Sequence, residues 1–237
     1  MPVRSVVGPW GRAGRYLLDL LFPPRCIVCR RVGNWLCTSC VSSLPFITGP
    51  VCRRCGLPVS TGDLCPRCRV RPLRIRTIRS VLLFEGPVRT AVHRLKYRDG
   101  HALAGPLGGL LVGWWEEHPL GVDVVVPVPL HPQRLERRGY NQAALLAAVL
   151  ARGVGLPLLE RALVRVRNTR PQMSLGREAR RANVAGAFRA VDGAVEGQRV
   201  LLVDDVCTTG ATLEACADAL REAGAAEVRA LTLARAP

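Results

Sequence analysis

Val200-Leu-Leu-Val-Asp204-Asp205-Val-Cys207-Thr208-Thr209-Gly210-Ala-Thr212 is the stretch that decides the fold. Its first four residues form an aliphatic run of the length of one buried strand. Two adjacent carboxylates follow, then hydroxyls and a glycine, and then an Ala/Leu-rich helical pattern over 212–223 that stops at Gly224. In open α/β sheets, ligands bind beyond the carboxyl ends of the strands. Main-chain N–H groups at a helix amino terminus favour a phosphate. Thr208, Thr209 and Thr212 add hydroxyls, and Gly210 lets the chain turn with positive φ. Asp204 and Asp205 can accept hydrogen bonds from a sugar diol beside that cradle. The loop is not a Walker loop, because GxxxxGK[ST] is absent. A capped helix after a strand would explain Thr212, but not two acids and the whole loop.

Working outward, the same alternation recurs. Residues 77–84, 122–127, 163–166, 199–203 and 227–234 read as strands, and 88–98, a stretch through Trp114 and Trp115, and 140–151 read as helices. Strands alternating with helices predict an α/β domain: a parallel sheet with helices on both faces. The expected organisation is a short amphipathic helix over 1–22, a metal-binding segment over 23–76, and the α/β domain over 77–237.

The metal-binding segment rests on spacing. Cys26-x2-Cys29, Cys37-x2-Cys40, Cys52-x2-Cys55 and Cys65-x2-Cys68 are four CxxC knuckles. Two knuckles supply four thiolates in a tetrahedron, which suits Zn²⁺, so the eight cysteines predict two zinc sites. A four-cysteine site is closed to water, hence structural. A disulfide framework would need an oxidising compartment. Sequential pairing of the knuckles needs the shortest loops, and interleaved pairing stays open. Large apolar side chains are few here, so metal at ~10–16 kcal/mol apparent per zinc would replace a core.

The whole chain has 237 residues, is 49% hydrophobic and carries a net charge of +16. That apolar content excludes a disordered chain, and no apolar run is long enough to span a membrane. Asp19 interrupts the apolar run near the amino terminus, so the segment reads as no export signal and the expected location is cytoplasmic. Residues 1–76 hold 13 Arg against 2 acids, or +11; two zinc tetrathiolates lower this to about +7. Such a surface either contacts the phosphates of single-stranded DNA or stays solvated.

The 200–212 stretch resembles the phosphoribosyl-diphosphate signature of type I phosphoribosyltransferases. Val126-Pro-Val-Pro-Leu-His131 with Arg134, Arg138 and Gly139-Tyr-Asn-Gln142 is similar to the ComF family. So are Leu95-Lys96-Tyr97, Arg170 to Gln172, Asn183-Val-Ala-Gly-Ala-Phe188 and the four knuckles, which match that family's double zinc ribbon. The resemblance implies a type I phosphoribosyltransferase-like domain that binds phosphoribosyl diphosphate with Mg²⁺. Asp204 and Asp205 would act on the ribose, and Val206, Cys207, Thr208, Thr209, Gly210, Ala211 and Thr212 would cradle the 5-phosphate. A loop starting at Leu130-His131 would hold pyrophosphate through His131, Arg134 and Arg138. Lys96 is the only lysine, and is either an active-site group or a helix-surface residue. Cys207 and Cys216 read as small core or loop residues. The family name implies competence, with single-stranded DNA or DNA-uptake proteins as partners. Three functions follow: a transferase of the phosphoribosyl group to an acceptor, a non-catalytic DNA- or protein-binding module, or a sensor of phosphoribosyl diphosphate. No nucleobase-binding hood is legible.

Overall fold

The computed structural model describes residues 23–97, 100–168 and 182–236. The helix expected over 1–22, and the motif at Arg170 to Gln172, lie outside the described residues. The chain forms two compact units, one up to Leu44 and one from Pro45 onward.

The first unit holds Cys26, Cys29, Cys37 and Cys40. Cys26–Cys29 is a tight turn in which Arg30 N donates to Cys26 O at 2.9 Å, with Arg30 at φ 65°. Cys37 caps helix α1 (Thr38–Ser42), whose first turn carries Cys40. The second unit opens on the same device. Gly56 N donates to Cys52 O at 2.9 Å in the turn, and Cys65 caps α2 (Pro66–Val70) with Pro66 in its first turn.

After α2 come β1 (Thr77–Leu83), α3 (Gly86–Tyr97), α4 (Gly100–Glu117), β2 (Val124–Pro127), α5 (Pro132–Arg138), α6 (Gln142–Val154), β3 (Leu163–Arg165), β4 (Phe188–Ala190), β5 (Arg199–Cys207), α7 (Ala211–Glu222) and β6 (Glu227–Arg235). Four strands make a parallel sheet in the order β1-β6-β5-β2. The period of two along β5 sends Val200 and Leu202 to one face, into a core with Leu213 and Leu220 of α7 and with Leu163 and Phe188. Helices α4 and α6 cover the other face. β3 and β4 form a separate antiparallel pair.

The structure differs from the sequence reading in two elements. Residues expected as a loop after His131 form the helix α5. His131 caps it, Pro132 starts it, and Gly139 ends it in the left-handed region. β4 lies where the sequence reading placed no strand; Phe188 buries against the α7 core.

The second set of cysteines is not walled off from the α/β core. Cys52, Cys55, Cys65 and Cys68 belong to one apolar cluster with Leu73, Ile75 and Ile78. Ile78 N donates to Arg54 O at 2.8 Å and Thr77 Oγ1 to Arg53 O at 2.9 Å, which ties the first knuckle of this set to β1. Gly56, at φ +69°, lies so close that a Cβ there would stand 2.6 Å from Ile78 O. The second set of cysteines and the sheet therefore share a core.

Candidate functional site

β5 delivers Asp204 and Asp205 to the carboxyl end of the sheet, and its alternation turns them to opposite faces. Asp205 is 3% exposed. Its Oδ2 lies 2.5 Å from Lys96 Nζ on the last turn of α3, and its Oδ1 accepts from Gln142 Nε2 at 3.0 Å. Gln142 opens α6 behind the cap Asn141, whose Nδ2 donates to Val128 O at 3.0 Å. Arg138 donates to Gln142 Oε1 and stands over the Tyr97 ring at 5.0 Å. A relay of Arg138, Gln142, Asp205 and Lys96 results. Burial alone drives the Asp205 carboxyl up, but the charge and hydrogen bond of Lys96, then Asp204 and Gln142, hold it below its ordinary 3.8. Burial opposes the Lys96 charge too, and Asp205 overcomes it, so the ammonium titrates higher than usual.

Asp204 faces the other way. Its Oδ1 accepts from Asp205 N at 2.8 Å. Burial, and then the Asp205 charge, push it well above the usual carboxylate range. Arg165 lies on this side; burial and then the neighbouring Arg134 lower its pKa, and Asp204 opposes them. The two acids thus hold their protons with unequal affinity: Asp205 is the firm anion and Asp204 the site that gains a proton first.

The loop beyond them is held from behind. Arg67 Nη2 donates to Thr209 O, and Arg235 Nη1 donates to Thr208 O at 2.5 Å. In a planar trans peptide the N–H points opposite the C=O. The N–H groups of Thr209 and Gly210 therefore point away from both arginines, toward the side where an anion would sit. Thr209 Oγ1 accepts from Ala211 N at 3.3 Å. Gly210 makes the turn at φ +80°, backed by Ile78 and Leu73; a Cβ would meet Ile78 Cδ1 at 3.2 Å. Thr212 sits in the first turn of α7, which runs for 12 residues. Cys207 is buried, and burial raises its thiol even though Arg235 Nη1 donates to its sulfur at 2.8 Å. Cys216 is buried too, and burial raises its thiol well above the usual range. Both are poor nucleophiles.

The three residues expected on pyrophosphate belong to α5 and its cap, three and four positions apart along one helix. His131 Nδ1 accepts from Gln133 N at 3.3 Å and serves as the α5 cap. Arg134 lies near Arg165, and Arg138 joins the Asp205 relay. Four residues of the site escaped the sequence reading as site residues: Gln142, Arg165, Arg67 and Arg235. An arginine closing the mostly apolar run 230–234 is the one sequence signal that could have pointed to Arg235, which the structure buries. Nothing in the spacing pointed to Arg67.

The thiols gather as two sets of four, Cys26/Cys29/Cys37/Cys40 and Cys52/Cys55/Cys65/Cys68, each with its sulfurs within 4.8 Å of one another. The sequential pairing is the one formed. Burial opposes ionisation in both sets, yet main-chain N–H donors bring Cys26 and Cys52 down to about 6. Burial and the neighbouring thiols send Cys40 up to about 12, and burial with the nearby Cys52 sends Cys55 up to about 11. Four sulfurs this close cannot all ionise without a cation, and a tetrahedral thiolate set fits Zn²⁺. No helix among the described residues is long and apolar enough to cross a membrane.

The double zinc ribbon domain family matches residues 17–69, and the phosphoribosyl transferase domain family matches residues 135–237. Competence protein ComFC of Bacillus subtilis is 34% identical over 208 residues, 84% of each chain. The DNA utilization protein YhgH of Salmonella typhi is 33% identical over 226 residues, 91% of this chain and 99% of that one. Competence protein F of Haemophilus influenzae is 32% identical over 225 residues, 90% and 97% of the two chains. A solved allosteric regulatory enzyme of purine biosynthesis is 29% identical over 56% of this chain and 26% of its own, at a TM-score of 0.40, too slight a likeness to inform on the site.

Proposed function

Because the chain belongs to the ComF family, a double zinc ribbon joined to a phosphoribosyltransferase domain, we propose that it binds phosphoribosyl diphosphate with Mg²⁺ and transfers the phosphoribosyl group to a small acceptor. One observation carries this: two carboxylates of unequal proton affinity stand at the end of β5, beside a loop whose amides are turned outward by Arg67 and Arg235. The loop from Val206 to Thr212 would take the 5-phosphate, and Asp204 and Asp205 the ribose hydroxyls. Mg²⁺, whose chemistry is to neutralise the diphosphate, would assist them. Arg134 and Arg138 lie on α5, which follows β2, and would steady the leaving group; His131, whose Nδ1 accepts the cap bond, would add its Nε2–H as a third donor. In the transfer, the C1–O bond breaks and its electron pair leaves with pyrophosphate, while a lone pair of the acceptor forms the new bond to C1. The residues position and stabilise charge, and no nucleophile of the protein is needed. We place the protein in the cytoplasm, where thiols stay reduced, with a link to competence and DNA use by its relatives' names.

The test is release of pyrophosphate from phosphoribosyl diphosphate and Mg²⁺ over a panel of acceptors. Acceptor-dependent release, lost in Asp204→Asn/Asp205→Asn, is the expected result. Binding without release over the whole panel would reduce the protein to a sensor.

A second reading is contact with single-stranded DNA, favoured by the exposed Arg69 and Arg71 that follow the last knuckle. Arg74 and Arg76, close by in sequence, lie 3.6 Å from Asp218 and 3.5 Å from Glu227, carboxylates that would compete with a phosphate.

A further inference from the structure

Behind the loop lies a cavity of about 560 Å³. Phe84 brings to it the chain just beyond β1, Arg235 and Ala236 the carboxyl end of β6, and Thr208 and Thr209 the β5–α7 loop. The other wall is the second ribbon: Leu57, Pro66 and Arg67, with the zinc ligands Cys55 and Cys65. It is therefore at the strand ends where α/β sheets bind ligands, and the metal-binding segment closes it. It is also distinct from the phosphate cradle. Arg67 and Arg235 hold the Thr209 and Thr208 carbonyls from the cavity's side, so the loop amides point away from it.

The cavity has a sign and a texture. Arg67, Arg89 and Arg235 line it, with no aspartate or glutamate among the described residues. Even against the two negative charges of a zinc tetrathiolate, three guanidiniums leave it positive. Arg89 is fixed over the Phe84 ring at 5.8 Å and donates through Nε to Phe84 O at 3.0 Å, which sets its fork beside a flat aromatic face. Leu57 and Pro66 add apolar wall. The volume falls in the range of small-molecule pockets and excludes a folded partner or a nucleic-acid duplex.

We propose that this cavity is a binding site for a small planar carboxylate, its anionic end on Arg89 and its flat body against Leu57 and Pro66. A guanidinium fork pairs with a carboxylate through two parallel hydrogen bonds, and a flat apolar body matches the remaining wall.

Calorimetry on the full-length, zinc-loaded chain tests it, with benzoate as the probe and benzamide as its neutral isostere. The expected result is saturable benzoate binding, none with benzamide, and about tenfold weakening in Arg89→Gln, the size of one lost charge-assisted contact. Asp204→Asn/Asp205→Asn should leave benzoate binding as it was. Absence of saturable benzoate binding, equal binding of benzamide, or undiminished binding in Arg89→Gln would overturn the pocket. If phosphoribosyl diphosphate fails to bind while benzoate binds, the pocket stands and the donor reading falls. The opposite outcome spares the donor reading and removes the pocket.

Discussion

Lys96→Met is the sharpest probe of the relay beneath the site. Met keeps the apolar stem and removes the charge 2.5 Å from Asp205 Oδ2, with side-chain exposures of 27% and 5%. Gln142 is then the remaining donor in the relay to a carboxylate that is almost wholly buried. Removing one partner of a buried pair costs about 3–5 kcal/mol. The cost has a ceiling, because the carboxyl can take a proton instead. Protonating a group whose ordinary pKa is 3.8 at pH 7 costs about 4 kcal/mol, at ~1.36 per unit. The two figures agree, so the α/β unit should lose about 3–4 kcal/mol. At ~2–4 °C per kcal/mol for a unit of this size, its Tm should fall by roughly 6–16 °C. The sign with pH follows. In the parent chain Asp205 titrates below 3.8, so its contribution is complete at neutral pH and is lost only as pH falls through that depressed value. Lys96 titrates above its ordinary 10.5, so its share is lost only as pH rises through that raised value, far from this window. In Lys96→Met the carboxyl must be protonated already at neutral pH. The gap between the two proteins should therefore narrow by about 1.4 kcal/mol per unit as pH falls from 7 toward 4. Denaturant titrations at pH 7 and pH 4.5 read this directly. A gap below about 1 kcal/mol at pH 7, or the same gap at both, would refute the relay.

Metal analysis should find two zinc ions per chain. Cys26→Ser should leave the second site filled and Cys52→Ser the first, but only Cys52→Ser should lower the Tm of the α/β unit, whose core contains those cysteines; loss of both metals in either variant would contradict independent sites. Arg67→Gln should keep both zincs and weaken phosphoribosyl diphosphate about tenfold, with partial rescue by Arg67→Lys, because the Thr209 carbonyl loses its anchor; calorimetry showing unchanged affinity would mean that the loop holds its shape unaided. On single-stranded DNA the log–log salt slope, about −0.7 per phosphate, should flatten more in Arg69→Ser/Arg71→Ser than in Arg74→Ser/Arg76→Ser, whose parent residues are paired with acids; equal slopes in both variants would show that this tail forms no groove.

Much of the architecture was written locally. An apolar run that ends in two acids and a hydroxyl-glycine turn is legible because strand, turn and helix each follow from near neighbours in sequence. The knuckles are legible for the same reason, down to the sequential pairing that short loops favour. The α5 helix carried its signals too, in His131, Pro132 and Gly139, but with few core residues its periodicity was faint. What the sequence concealed is contact across long separations. Arg67 reaches Thr209 over 142 positions, and Gln142 reaches Asp205 over 63. No local pattern encodes either, and the shared core of the second ribbon and the sheet was hidden for the same reason.

The central claim is that Asp204, Asp205 and the outward amides of the loop form a site for phosphoribosyl diphosphate. Calorimetric titration of the zinc-loaded chain with that ligand, with and without Mg²⁺, tests it most directly, alongside Asp204→Asn/Asp205→Asn. The account predicts one Mg²⁺-dependent site per chain, lost in the double variant while its zinc content stays at two. Equal affinity with and without Mg²⁺, or undiminished binding in a folded double variant, would contradict it.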